Sequence, residues 1–277
     1  MKKYLVIGNP VGHSLSPLIH NHWMKKHQLF NSIYEKRKVE KKNLKNIIKE
    51  IRDNEIVGVN VTVPFKKLII PLLDKLDPIA TKTESVNTLL KIDNKIVGYN
   101  TDEPGFALTI RELFPGLKKN MMSESLKGKN IFVLGAGGVT SSIIVALENW
   151  GAKIYLSNRT KKKAEELRKK YTKIEILDWG KRPTVCDVVI NTTSIGLTED
   201  EKINIDFSDC NGDKNKLFYD LIYNPKETNF LKEARLRGNN SINGQRMFLN
   251  QAMYAFNLWT NIIPEIDDEV IKLLDND

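Results

Sequence analysis

Cysteine is almost missing from this 277-residue chain. Cys186 and Cys210 have neither a metal-ligand spacing nor a disulfide framework, so free thiols in a reducing compartment are expected. Long hydrophobic runs are missing too. Stretches such as Ile131 to Val133 fall far short of the roughly 20 apolar residues that a membrane helix needs. The N-terminus lacks the pattern of a secretory leader, because the apolar run after Lys2 and Lys3 stops at Gly8, Asn9 and Pro10. A cytoplasmic protein with no membrane partner is therefore expected. The formal net charge of +9 is scattered in short groups such as Lys161 to Lys163 and Lys169 to Lys170, which read as solvated faces. No basic region is interleaved with aromatics, and no zinc-finger or RNP-like motif occurs, so nucleic acid is not an expected partner.

What is present is a globular composition. Hydrophobic residues make up 41% and charged residues 28%, and the length suits two domains, each with its own core.

The chemistry is expected to concentrate between Val57 and Lys67. Val57, Val59, Val61 and Val63 recur with the period of a strand, placing Asn60 and Thr62 on the opposite face, and Pro64 is expected to end the ladder. Lys66 stands just past that break, suited to moving a proton if partly desolvated. Taken alone, a strand followed by a solvated lysine explains the stretch equally well.

Before it, Tyr4 to Ile7 form a strand that runs into a loop rich in breakers. Ser16 is placed as an N-cap and Pro17 as the first helical residue. A helix start flanked by Ser14 and Ser16 is a cradle for a carboxylate or phosphate, and Ser14 has no capping role to account for it. Ile33 to Val39 can form a strand, and Leu44, Ile47, Ile48 and Ile51 fall on one face of a helix. The run is β-α-β-α-β, with connections long enough for parallel crossovers. Ser85 to Lys91 and Lys95 to Tyr99 read as a hairpin turning at Asp93 and Asn94. Its ends carry Asn87 on the way in and Asn100, Thr101 and Asp102 on the way out. Pro104 to Phe114 is expected to be a helix and Pro115 to Lys129 a linker.

Asn130 to Leu134 then forms a strand leading into Gly135, Ala136, Gly137, Gly138, Val139 and Thr140, followed by a helix through Ile143, Ile144 and Leu147. Strand, glycine-rich turn and helix are the context of a dinucleotide fingerprint, although Thr140 occupies the third glycine position. The next strand, Ala152 to Ser157, ends in Asn158, Arg159 and Thr160, where an NAD enzyme would place an acidic residue. Arg159 offers a planar fork for a phosphate, so NADP is the expected cofactor. Further strands are expected at Ile174 to Leu177, Val185 to Asn191 and Leu217 to Leu221. Phe230, Leu231, Ala234 and Leu236 are expected on a helix closed by Gly238. Met247, Gln251, Tyr254, Ala255 and Leu258 are expected on one face of a helix that begins after Gly244.

Taken together, these motifs resemble the NADP-dependent shikimate dehydrogenase family along essentially the whole chain. The resemblance rests on Gly8 to Pro17 with His20 and Asn21, on Asn60 to Lys66, on Val86 to Thr88 and on Gly98 to Asp102. Gly135 to Gly138, Asn158 to Thr160 and Asn191 to Ser194 follow in the family's order. It implies an α/β protein of two domains: an N-terminal open α/β substrate-binding domain at 1–103, completed by 241–277, and a Rossmann-type NADP-binding domain at 104–240. The C-terminal helices would pack back on the first domain. The implied reaction is the reversible NADPH-dependent reduction of 3-dehydroshikimate to shikimate, in chorismate and aromatic amino-acid biosynthesis. The resemblance further implies that Ser14 and Ser16 hold the substrate carboxylate and that Thr62, Asn87 and Gln251 bind ring hydroxyls. Tyr223 would contact the substrate, and Lys66 and Asp102 would form the catalytic pair. Gly135, Ala136, Gly137, Gly138 and Val139 would wrap the pyrophosphate, with Asn158, Arg159, Thr160 and Lys163 at the adenosine 2′-phosphate. Leu221, Gly244 and Met247 would flank the nicotinamide. No metal is implied, and the expected assembly is a monomer or homodimer.

Two departures from the family pattern stand out. Val139-Thr140-Ser141 replaces a smaller tail after the glycine-rich turn, and Arg246 stands where the family often has a small residue. Two alternatives remain open on the sequence: a quinate/shikimate dehydrogenase of broader substrate or cofactor use, and a non-catalytic NADP-binding sensor.

Overall fold

The computed structural model describes residues 1–113, 126–198, 200–208 and 216–275. The chain divides into two compact units, Met1–Phe106 with Leu249–Asp277, and Ala107–Phe248. These divisions fall at 106/107 and 248/249, where the sequence reading placed them at 103/104 and 240/241. The expected linker lies largely outside the described residues, as do Phe114 and Cys210.

The first unit contains β1 (Lys2–Gly8), α1 (Ser16–Lys26), β2 (Ser32–Lys38), α2 (Leu44–Arg52), β3 (Gly58–Val61), β4 (Lys75–Leu76), α3 (Pro78–Thr83), β5 (Thr88–Ile92), β6 (Lys95–Tyr99) and the start of α4 (Asp102–Leu113). Its sheet runs β2-β1-β3-β5-β6-β4. The β1 strand pairs in parallel with β2 and β3, as the long helical crossovers require, whereas β3, β5 and β6 are antiparallel. The hairpin turns where expected: Asp93 and Asn94 both take positive φ, +47° and +61°, as a primed turn demands.

Side-chain alternation along β1 sorts the core into two layers. Leu5 and Ile7 pack with Val59, Val61 and the α2 stripe of Leu44, Ile47, Ile48 and Ile51. Each fully buried isoleucine contributes about 1.5–3 kcal/mol relative to an exposed one. The other face is aromatic, with the Tyr4 ring 5.3 Å from Trp259. Gly58 makes this packing possible, because a Cβ there would stand 2.3 Å from the Trp259 indole nitrogen. Trp259 in turn donates to the Leu89 carbonyl at 3.1 Å. The C-terminal segment is thus part of the first unit's core.

The second unit holds the rest of α4, then β7 (Asn130–Leu134), α5 (Thr140–Asn149), β8 (Lys153–Ser157), α6 (Lys161–Lys170), β9 (Ile174–Leu177), β10 (Val188–Asn191), β11 (Leu217–Asp220), α7 (Asn229–Leu236), β12 (Asn240–Ile242) and the start of α8 (Gln245–Thr260). The last helix, α9 (Asp268–Asp275), returns to the first unit. All the pairings of the second sheet are parallel, in the order β9-β8-β7-β10-β11-β12. Counted from β7 this is 3-2-1-4-5-6, the doubly wound Rossmann order, whose direction reverses between β7 and β10.

Several expectations need correcting. The β3 strand is shorter than Val57 to Val63: it ends at Val61, before Pro64, and all four of its residues are buried. Asn60 is 8% exposed and Val63 60% exposed, so the valine alternation does not separate a buried face from a wet one. A central strand is covered on both sides. Leu15, not Ser16, is the N-cap residue of α1, and its own side chain makes no capping bond. On α8 the buried residues are Met247, Phe248, Leu249, Asn250, Ala252, Ala255 and Phe256, whereas Gln251, Tyr254 and Leu258 are half-buried.

Candidate active site and cofactor site

In the first unit, three polar positions are brought together from the end of β3, the start of β5 and the start of α4. Lys66 follows Phe65, and the pair Phe65 and Ile69 anchors the turn in the core at 2% and 0% exposure. The Lys66 backbone is pinned where its carbonyl accepts from Val86 N at 2.9 Å. Its Nζ donates to Asp102 Oδ2 at 2.5 Å, the two side chains being 13% and 7% exposed. Asp102 opens α4, and the turn before it is locked by Asn100. The Asn100 Oδ1 accepts from Glu103 N at 3.1 Å, while its amide donates to Ser85 O and Thr83 Oγ1.

Asn87 joins these parts. Its Oδ1 accepts from Thr101 N at 2.7 Å, which sets the amide so that Nδ2 faces Asp102 Oδ1 at 3.0 Å, Thr101 Oγ1 at 2.9 Å and Gln251 Oε1 at 3.4 Å. Two hydrogens serve three acceptors, so one bond is shared. Gln251 is held close because Gly105 lacks a side chain: a Cβ there would meet Gln251 N at 2.8 Å. Thr62 is half-buried against Gly8, where a Cβ would stand 2.5 Å from its methyl group. Asn60, by contrast, is consumed internally. It accepts from Tyr34 Oη at 2.7 Å and donates to Thr88 Oγ1 and the Asn87 carbonyl.

Ser14 and Ser16 form a separate pair, 8% and 6% exposed, with their hydroxyls 3.2 Å apart. Ser14 Oγ accepts from Ser16 N at 3.4 Å, so the capping-type contact expected of Ser16 is made by Ser14.

In the second unit, the crest of the β7–α5 turn is open. Gly135 takes φ +111°, and a Cβ there would stand 2.6 Å from Thr192 Oγ1, which keeps the turn tight against β10. Gly137 would meet nothing within 4 Å. Thr140, in the third glycine position, is fully buried. Thr192 spends its one proton on the Leu134 carbonyl, so in the 2.8 Å bond between the two threonines Thr140 is the donor, and it accepts from Gly137 N at 3.0 Å. The departure from glycine therefore braces the turn from within.

Asn158 accepts from Ala136 N at 3.1 Å and donates to Thr160 O at 2.8 Å, tying the end of β8 to the glycine-rich turn. Arg159, Thr160 and Lys163 are exposed, whereas Lys161 is paired with Asp178 at 2.7 Å. An open crest above Gly137, no acidic residue in the first turn of α5 and no carboxylate at the end of β8 fit a dinucleotide carrying a 2′-phosphate.

Leu221 and Gly244 are in contact, since a Cβ on Gly244 would lie 2.0 Å from Leu221 O, and Gly244 N donates to Ile222 O at 2.9 Å. Met247 is 6% exposed, and Tyr223 stacks on Phe248 with centroids 4.2 Å apart. Arg246 makes a two-pronged ion pair with Glu112, 2.5 and 2.7 Å, which accounts for its charge.

Two residues take roles that the sequence alone did not assign to them. Thr101 orients Asn87, and only its place between Asn100 and Asp102 hinted at that. Asp220 is fully buried at the end of β11, where burial pushes its carboxyl up to about 6 against the hydrogen bonds from Thr228, Ile222 and Asn191. The signal was an acidic residue inside an otherwise apolar strand.

Comparison with known proteins places the chain in a family. The family model described as the shikimate dehydrogenase substrate binding domain matches residues 6–89, and that described as shikimate / quinate 5-dehydrogenase matches 117–229. The NADP(+) shikimate dehydrogenase of Pelagibacter ubique is 49% identical over 99% of both chains. The crystal structure of shikimate dehydrogenase from Aquifex aeolicus superposes with a TM-score of 0.87 at 35% identity, covering 100% of this chain and 98% of that one. The Thermus thermophilus shikimate 5-dehydrogenase, solved with NADP(H) and shikimate, gives 0.84 at 29% identity over 100% and 99%. With two family models spanning most of its length and a relative at 49% identity end to end, this chain belongs to the shikimate dehydrogenase family.

Proposed function

We propose that this chain catalyses the reversible NADPH-dependent reduction of 3-dehydroshikimate to shikimate, with Lys66 and Asp102 as its proton-handling pair. The observation that carries the reading is the 2.5 Å contact between Lys66 Nζ and Asp102 Oδ2, set up by Asn87 in a shielded site.

When bound, the cofactor supplies the hydride; the rest falls to the protein. As the ring ketone oxygen becomes an alkoxide it needs a proton, and Lys66 is the donor. An ammonium group has three N–H bonds, and with one given to Asp102 two remain for substrate. Asp102 holds that ammonium in place and completes the relay. In the oxidative direction neutral Lys66 accepts the proton. Ser14 and Ser16 hold the substrate carboxylate from their paired hydroxyls, and Thr62, Asn87 and Gln251 read ring hydroxyls, while Tyr223 contacts the substrate.

On the cofactor side, Gly135, Ala136, Gly137, Gly138 and Val139 receive the pyrophosphate at the start of α5. Asn158, Arg159, Thr160 and Lys163 hold the 2′-phosphate, and Leu221, Gly244 and Met247 line the nicotinamide end. The first unit would thus serve substrate and the second NADP. The protein works in the cytoplasm as a monomer or homodimer. No helix among the described residues is long and apolar enough to cross a membrane.

Initial rates with shikimate and with quinate, each with NADP+ and with NAD+, test this reading. Shikimate with NADP+ should be the preferred combination; preference for quinate or NAD+ would assign a broader enzyme.

A further inference from the structure

We propose that Asp220 is a positioning residue for the nicotinamide end of the cofactor site, holding the loops after β10 and β11 and the start of α8 in one arrangement. This rests on the assignment of Leu221, Gly244 and Met247 to that end.

Asp220 has no exposed surface. Its Oδ1 accepts from Asn191 Nδ2 and from Ile222 N, both at 3.0 Å, and its Oδ2 accepts from Thr228 Oγ1 at 2.7 Å. Each donor controls a different piece of the crevice rim. Asn191 organises the turn after β10, accepting from Thr193 N and Oγ1 and donating to Ile195 O. The Ile222 amide fixes the turn after β11, whose carbonyl receives Gly244 N at the entry to α8. Thr228 caps α7, accepting from Leu231 N at 3.4 Å, and can do so because its own proton is committed to Asp220.

An ordinary strand-end turn does not need this residue in this state. Burying a carboxylate is costly unless it is paired, and Asp220 forms no salt bridge among the described residues; neutral donors alone serve it. What it offers is acceptor capacity on both oxygens, which an amide cannot match because its nitrogen would face a donor. The rim it holds is also tight. With Gly244 already so close to Leu221 O that a Cβ would lie 2.0 Å away, a small shift of the β11 turn reaches Gly244 directly.

The test is Asp220→Asn in the full chain, with dissociation constants measured by calorimetry for NADP+ and for 2′,5′-ADP, which carries the 2′-phosphate but no nicotinamide. Loss of one buried bond to a charged group should weaken NADP+ by about tenfold, with 2′,5′-ADP staying within about twofold. Equal weakening of both ligands, or of neither, overturns the proposal. Should Asp220→Asn fail to fold, Thr228→Val removes one donor while keeping the carboxylate, and the same split between the ligands is expected at about two- to threefold. Wild-type protein that binds neither ligand overturns the cofactor assignment itself and this proposal with it. Wild-type binding with an unsplit variant overturns the proposal alone.

Discussion

Lys66 Nζ donates to Asp102 Oδ2 although 36 positions separate the two residues, and Asn87 Nδ2 holds the opposite carboxylate oxygen at 3.0 Å. A carboxylate gripped from both sides cannot rotate freely, so the ammonium it orients has a fixed address. Two residues that work as one unit lose function together. Lys66→Met and Asp102→Asn should each lower kcat by about 10²- to 10⁴-fold, and the double variant should fall within about tenfold of the worse single one. Steady-state rates, with KM for shikimate near that of wild type in Lys66→Met, are the check. Losses that multiply would show that the two act independently.

Gly137 separates folding from binding. Nothing lies within 4 Å of a Cβ placed there. Gly137→Ala should therefore leave the unfolding temperature without cofactor unchanged. If the pyrophosphate sits over that crest, the methyl group occupies its space, and NADP+ affinity should fall by at least about tenfold, an effect typical of overpacked contacts. Calorimetry beside a melting curve reads both, and unaltered affinity would remove the pyrophosphate from this turn.

Arg159 should report on the 2′-phosphate. It is exposed and follows Asn158, which is committed to the glycine-rich turn. Arg159→Ala should raise KM for NADP+ by about tenfold and leave KM for NAD+ unchanged, since only the former offers a phosphate to a guanidinium fork. Equal increases for both cofactors would rule out the phosphate contact.

His20 should make the fold acid-sensitive. It is fully buried, stacked 4.3 Å from the Tyr34 ring, and neither ring nitrogen has a hydrogen-bond partner. Burial lowers its pKa from 6.5 to about 3. The depressed group favours the folded state above pH 6.5, and that contribution is lost as pH falls through the window between 6.5 and about 3. Relative to His20→Phe, the wild type should lose about 2.5 kcal/mol of stability between roughly pH 7.5 and pH 4.5. Denaturant titrations at both pH values measure it; parallel curves would mean that His20 gains a partner or water on protonation.

Much of this was legible in the residues, because local patterns reflect local forces. Asn130–Leu134 was read to the residue, as apolar side chains entering a glycine-rich turn leave little choice. The α2 stripe and the turn at Asp93 and Asn94 were legible for the same reason. The failures are relations across the chain. Alternation could not show that β3 is covered on both faces, which makes Asn60 an internal brace rather than a free polar group. Nor could it show that Arg246 is taken up by Glu112, 134 positions away. The short strands β4 and β12, with two and three residues, carry too little periodicity to be seen. The role of Asp220 is not visible in the sequence because it comes from three donors that only the fold assembles.

The most direct test of the central claim is the absorbance of NADPH on mixing purified protein with shikimate and NADP+. Wild-type protein should form NADPH in proportion to enzyme, and Lys66→Met should lose that rate while still binding both ligands. Wild-type protein that binds NADP+ yet forms no NADPH from shikimate would contradict the account and leave a cofactor-binding sensor in its place.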